Sequence, residues 1–136
     1  MIPIIRFINL IKACDKKGGE VALQKLKLQE SMTYENYIHG MVWNIISDFC
    51  KIVQPECVKC GATYNLRTHH LSYEHMTMEM YHLDTLTVLC DMHHTLLHTV
   101  EIGARKNKQL LPEEWTNLPN IQSLMETKGL NLYEMV

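Results

Sequence analysis

Cys57-Val-Lys-Cys60-Gly61, His69-His70-Leu71-Ser72-Tyr73-Glu74 and Leu86-Thr-Val-Leu-Cys90-Asp-Met-His93-His94-Thr-Leu-Leu-His98 form the stretch on which the fold turns. It carries more sulfur and imidazole ligands than one ion can use. A structural zinc takes four ligands in a tetrahedron. Cys57, Cys60, Cys90 and His93 supply them as a C-x2-C pair and a C-x2-H pair. His69, His70, His94 and His98 remain, which is enough for a second, reactive site.

The ligands also imply local structure. Gly61 permits the tight knuckle that aims both of its sulfurs at one ion. Leu66 to Leu71 reads as a short strand, and Leu86 to Cys90, rich in β-formers, as a second. Met92 to Val100 has helical spacing. The order is strand, loop, strand, helix, with one metal clamping the knuckle to the start of the helix. Consecutive side chains on a helix point about 100° apart, so His93 and His94 serve different ions. His93 completes the zinc tetrahedron. His94 and His98, four apart, share a helix face and can grip one metal. The reverse assignment, with His94 closing the zinc, leaves His98 without its natural partner.

The rest of the chain is consistent with a small intracellular protein. Its 136 residues make one domain, or one domain plus an accessory segment. The net charge of −2 gives no global sign of a nucleic-acid partner. Five cysteines is an odd count that suits metal ligation better than disulfides, which implies a reducing, cytoplasmic setting. Cys14 and Cys50 lie in apolar, helix-like surroundings and read as packing residues. Met1 to Leu10 lacks a basic start and a cleavage site, is interrupted by Arg6, and is too short to span a bilayer. It reads as a helix with Ile4, Ile5, Ile8 and Ile11 on one side, and no membrane role is expected.

Three zones follow. Residues 1–30 form an N-terminal helical extension broken at Lys16-Lys17-Gly18-Gly19. Residues 31–102 form the metal-bearing domain. It opens with a helix capped by Thr33 and carrying Tyr34, Tyr37, Ile38, Met41, Val42, Ile45, Ile46 and Phe49, which stops before Pro55. Residues 103–136 form a helical tail: a polar break from Gly103 to Gln109, then pieces near Pro112 to Trp115 and Pro119 to Lys128, closed by Gly129.

From about Thr33 to His98 the chain resembles the HNH endonuclease superfamily, in its phage and mobile-element branch. The residues that carry the resemblance are Tyr34, Tyr37 and Trp43, the knuckle Cys57-Val-Lys-Cys60-Gly61, His69-His70-Leu71-Ser72-Tyr73-Glu74, and Leu86 to His98 as quoted above. It implies an α+β fold, a small zinc-bound ββα-metal (HNH, or His-Me finger) core with helical extensions at both ends. Two positions depart from the pattern. His93 stands where the family usually has cysteine, and zinc accepts either. Thr85 stands where Asn or Asp is expected, with Asp84 one residue earlier. The family's residue holds the loop and the base in position, so Thr85 would weaken activity unless Asp84 substitutes for it.

The activity implied is metal-dependent nicking or cutting of DNA. A catalytic divalent ion such as Mg2+, Mn2+ or Ni2+ would sit on His69, His94 and His98, beside the structural Zn2+. His70 would be the general base for the attacking water, a task suited to a group titrating near neutral pH. Adjacent residues of a regular strand face opposite ways, so His69 and His70 reach one site only if the strand ends or bends there. DNA contact would come from local charge. Arg105, Lys106 and Lys108 form one basic cluster after the helix, and Lys12, Lys16, Lys17, Lys25 and Lys27 form another. Both also read as solvated faces, the commoner fate of such runs. One chain holds one active site, so a double-strand cut needs a homodimer or two successive nicks.

Blander readings run alongside. An HNH-derived zinc module that has lost catalysis through Thr85 would remain a DNA- or protein-binding part. A zinc-ribbon adaptor would make the extra histidines incidental. His39, His75 and His82 read as ordinary polar positions, and Met76 to Met80 as loop packing in which Glu79 could assist a metal through water. Tyr37 and Trp43 read as packing the helix onto the zinc module.

Overall fold

The computed structural model describes residues 2–16, 40–76 and 78–131. Within them the elements run α1 (Ile2–Lys16), α2 (Met41–Val53), β1 (Leu66–His70), β2 (Leu86–Cys90), α3 (Asp91–Lys106) and α4 (Ile121–Thr127). Short 3-10 turns at Glu79–Tyr81, Leu83–Thr85 and Glu113–Trp115 fill the connections. The class is α+β: a β-hairpin followed directly by α3, with the other helices flanking it. No helix among the described residues is long and apolar enough to cross a membrane.

The hairpin organises the packing. β1 and β2 are antiparallel, in the register Leu66↔Cys90 through His70↔Leu86. Two bonds extend the ladder at its ends: the Leu71 amide donates to the Thr85 carbonyl and the Asp91 amide to the Asn65 carbonyl, both at 2.8 Å. Every residue of β2 is buried, as a run covered on both faces should be. Leu86 and Val88 join a core of Phe7, Ile46, Phe49, Ile121 and Met125. Leu89 and Cys90 join a second cluster with Cys57, Leu97 and Trp115. β1 is divided more sharply. Thr68 and His70 face α2, where Thr68 exchanges bonds with Ser47 and His70 stacks on Trp43. Arg67 and His69 face α3.

α4 is held at both ends by the chemistry its sequence suggests. The Asn120 side chain accepts from the Ser123 amide at 2.8 Å, Gly129 takes the left-handed φ of +71° that closes the helix, and Lys128 donates to the Val53 carbonyl at the end of α2.

Four expectations change. The helix beginning at Thr33 is not continuous: Gly40 is an extended N-cap and α2 starts at Met41, where a helical glycine would cost about 1 kcal/mol. Residues 33–39, including Tyr34 and Tyr37, lie outside the described residues. Met41 itself is exposed. On α1 the buried stripe is Phe7 and Ile11, flanked by Ile4 and Leu10, while Ile5 is 52% exposed. The Phe7 ring sets that rotation by stacking on Phe49 at 4.0 Å. The break placed at Gly103 also moves. α3 continues to Lys106, with Arg105 and Lys106 in its last turn, where cations complement the helix dipole. Trp43 packs on His70 in the larger core, not on the cysteine cluster.

Phe7→Ala should destabilise the protein by about 3–5 kcal/mol, and Ile5→Ala by no more than about 0.5 kcal/mol. Urea denaturation of both variants checks the rotation of α1; equal midpoints would contradict it.

Candidate metal centres

The knuckle, the end of β2 and the first turn of α3 bring four ligands together. Gly61 has φ +76°, and its amide closes the turn onto the Cys57 carbonyl at 2.8 Å. The Val58 amide donates to the Val88 carbonyl at 3.1 Å, so the knuckle rides on β2. Cys60 Sγ lies 3.8 Å from Cys90 Sγ, and His93 Nδ1 lies 3.2 Å from Cys90 Sγ and 3.9 Å from Cys57 Sγ. Sulfurs at about 2.3 Å from a tetrahedral zinc would stand about 3.8 Å apart. The group is therefore already spaced for a zinc ion. Trp115 covers it, with its ring centroid 6.3 Å from that of His93 and the Lys59 ammonium 4.5 Å above the indole.

The thiols are tuned by the same turn. Burial opposes ionisation of Cys57, yet hydrogen bonds from the backbone of Cys90, Cys60 and Lys59 outweigh it and hold the thiol below its ordinary range. For Cys60 the Ala62 backbone favours the thiolate, but burial and the neighbouring Cys57 and Cys90 sulfurs prevail and raise it. Crowded sulfurs of this kind share charge readily only with a cation among them. Cys50 behaves differently. Full burial, with the nearby Glu79 carboxylate, pushes its thiol far above the ordinary range, which fits a packing residue. The side chain of Cys14 lies outside the described residues.

The second group joins β1 to α3. His69, His94 and His98 place one ring nitrogen each within 4.8 Å of the others. His94 Nε2 and His98 Nε2 approach to 3.1 Å, and the His69 ring centroid stands 5.3 and 4.9 Å from those of His94 and His98. Nitrogens at about 2.1 Å from a common tetrahedral ion would be about 3.4 Å apart. His69 Nδ1 is buried without a hydrogen-bond partner, as a ligand nitrogen facing an ion site would be. His93 and His94 thus go to different groups, as helix geometry requires.

His70 points the other way from His69. Its ring lies between Trp43 and Tyr73, with centroids at 4.7 and 5.1 Å, and its Nε2–H donates to Glu79 Oε2 at 2.6 Å. The fully buried Glu79 is reached through a turn that the spacing of the sequence does not reveal. Both histidines nonetheless border one cleft of about 290 Å³, because β1 ends at His70. Asn44, Lys51, Arg67, Tyr73, His94 and His98 also line it.

The remaining residues fall elsewhere. The Thr85 hydroxyl donates to the His82 carbonyl at 2.7 Å, and its own carbonyl pairs with Leu71. Asp84 is exposed. Arg105, Lys106 and Lys108 are exposed at and just beyond the end of α3, outside the cleft. Arg67, a cleft residue that pairs through Nε with Asp91 Oδ1 at 2.6 Å, and Glu101, which lies against His69 and His98 outside the cleft lining, are groups the sequence pattern does not single out. Glu101 was within reach of it: it lies three residues past His98 on the same helix face. No family model, curated protein or solved structure matches the chain.

Burial, reinforced by the neighbouring imidazoles, lowers His69 to about 3 and His94 to about 4, from 6.5. In unfolded chain both would gain protons near pH 6.5. Folding stability therefore falls as the pH drops from about 6.5 towards 4, where the unfolded state binds more protons. An NMR titration of the imidazole resonances in zinc-loaded protein should find His69 and His94 neutral from pH 8 to 5; a midpoint near 6.5 for either would refute their burial. A second measurement concerns the sulfur cluster. Purified protein should hold one zinc per chain by elemental analysis, and Cys57→Ser or a strong chelator should abolish cooperative unfolding rather than shift it.

Proposed function

We propose that this chain is a metal-dependent endonuclease of the HNH type, hydrolysing phosphodiester bonds of DNA. The observation that carries the reading is the shared cleft: a three-histidine group suited to a divalent ion and a separately held histidine meet at the end of one strand. The Cys3His cluster, on the other side of α3's first turn, is left to stabilise the fold.

The residues divide the work by where they are held. His69, His94 and His98 would bind the ion, and an all-nitrogen set suits Ni2+ or Zn2+ better than Mn2+ or Mg2+, which prefer oxygen ligands. When bound, such an ion would stabilise charge on the scissile phosphate and on the departing 3′ oxygen. His70 is the general base that takes the proton of the attacking water. Its Nε2–H is donated to the Glu79 carboxylate, which orients the ring. Trp43 and Tyr73 stack on either side and prevent the ring from turning. Arg67 and Lys51 supply positive charge along the cleft for the DNA backbone. Arg105, Lys106 and Lys108 extend that charge along the duplex. A double-strand cut would need two copies of the chain.

One observation favours a second reading. The Thr85 hydroxyl is committed to its own turn, so it gives the base none of the support that the family's Asn provides. If the Glu79 contact does not replace that support, the chain is a DNA- or protein-binding module derived from a nuclease.

A plasmid-nicking assay with Mg2+, Mn2+, Ni2+ or no added metal decides between them. Activity should require metal, and His70→Asn should lower the rate by about 10²- to 10⁴-fold while zinc content and cooperative unfolding are retained, with some loss of melting temperature from the altered partner of buried Glu79. Cleavage that survives His70→Asn would remove the base assignment, and DNA binding without cleavage would support the module.

A further inference from the structure

Glu101 touches the three-histidine group from behind. Its Oε1 lies 3.2 Å from His69 Nε2, and its Oε2 lies 3.8 Å from His98 Nδ1. The two nitrogens of an imidazole point away from each other across the ring. A carboxylate whose two oxygens face Nε2 of His69 and Nδ1 of His98 therefore stands opposite the nitrogens left to converge. Those nitrogens are identifiable. His69 Nδ1 is the buried side-chain polar atom that lacks a hydrogen-bond partner among the described residues. His98 presents Nε2 to His94 Nε2 at 3.1 Å.

We infer that Glu101 is a positioning residue shared by two metal ligands, holding His69 to coordinate through Nδ1 and His98 through Nε2, with His94 Nε2 as the third donor. The inference rests on the three-histidine group being a metal site. One carboxylate accepts the Nε2–H of His69 from β1 and faces Nδ1 of His98 from α3 at 3.8 Å, an electrostatic contact longer than a hydrogen bond, so it ties the strand's ligand to the helix's ligand. A hydrogen bond from a ligating histidine to a carboxylate fixes its tautomer and raises its basicity. Charge points the same way. Three neutral imidazoles bring no negative charge to a divalent ion, and Arg67 adds positive charge on the same cleft. Glu101 supplies a compensating anion without occupying a coordination position, leaving the remaining positions to phosphate and water. Its helical spacing, three residues after His98 and seven after His94, keeps it on the ligand face of α3.

The test uses the zinc-loaded full chain and Ni2+ as the probe. Calorimetric titration should find one Ni2+ site in the wild type, weakened about 10- to 100-fold in Glu101→Ala and partly restored in Glu101→Asp. Long-range ¹H–¹⁵N spectra before Ni2+ is added should find His69 protonated on Nε2 in the wild type, and that preference lost in Glu101→Ala. Zinc content should not change, and the melting temperature of Glu101→Ala should fall only by the several degrees that leaving the buried His69 Nε2 unpaired costs. An unaltered Ni2+ affinity in Glu101→Ala overturns the inference, as does a loss of affinity matched by losses of zinc and of cooperative unfolding. A wild type that takes up no second ion, or a His94→Ala variant that binds Ni2+ as well as the wild type, overturns instead the metal-site reading beneath it.

Discussion

Cys90 is under three constraints at once. It pairs with Leu66 as the last residue of β2, it is the extended residue from which α3 starts, and its sulfur meets Cys60 and His93 in the four-ligand cluster. A strand end, a helix start and a candidate metal ligand on one residue leave α3 little choice of direction. The helix must leave the sheet so that its third residue, His93, turns back to the knuckle. The next residue, rotated by about 100°, must then look elsewhere, and it looks at His69. The second group of histidines follows geometrically from the first group.

The pleat of β1 makes the next division. Arg67 and His69 lie against α3, and Thr68 and His70 against α2. Two adjacent histidines therefore meet different partners within one residue's rise: one is offered to a nitrogen cluster, the other to a buried carboxylate between aromatic rings. Leaving a buried imidazole unpaired costs about 1–3 kcal/mol. The fold meets that demand for His70 with Glu79 and for His69 with Glu101, through its Nε2. Both carboxylates come from outside the two strands, Glu79 from the connection between them and Glu101 from the third turn of α3. The hairpin is short enough that both histidines still open on one cleft.

Much of this was legible because ligand chemistry and backbone period are local. Cys57, Cys60, Cys90 and His93 are recognisable by spacing. His94 and His98 separate from His93 by the turn of a helix, and β2 begins and ends where its β-favouring run does. The less legible parts involve contacts between distant segments. Phe7 rather than Ile5 faces inward because a ring on α2 is there to receive it. Gly103 does not end α3, because the flanking residues hold the helix through a single weak position. Trp43 belongs to His70 and not to the cysteine cluster, which no periodicity within α2 could announce.

By itself the sequence determined the two candidate ligand sets, the order of strand, strand and helix, and the division of His93 from His94, all consequences of fixed bond geometry within a few residues of chain. Only the tertiary structure decided which carboxylate stands behind each histidine, and that His69 and His70 share a cleft while facing opposite ways. Those outcomes depend on how α2, the turns around Glu79 and the far end of α3 pack on the hairpin. Close packing of side chains remote in sequence sets that arrangement, and no local pattern encodes it.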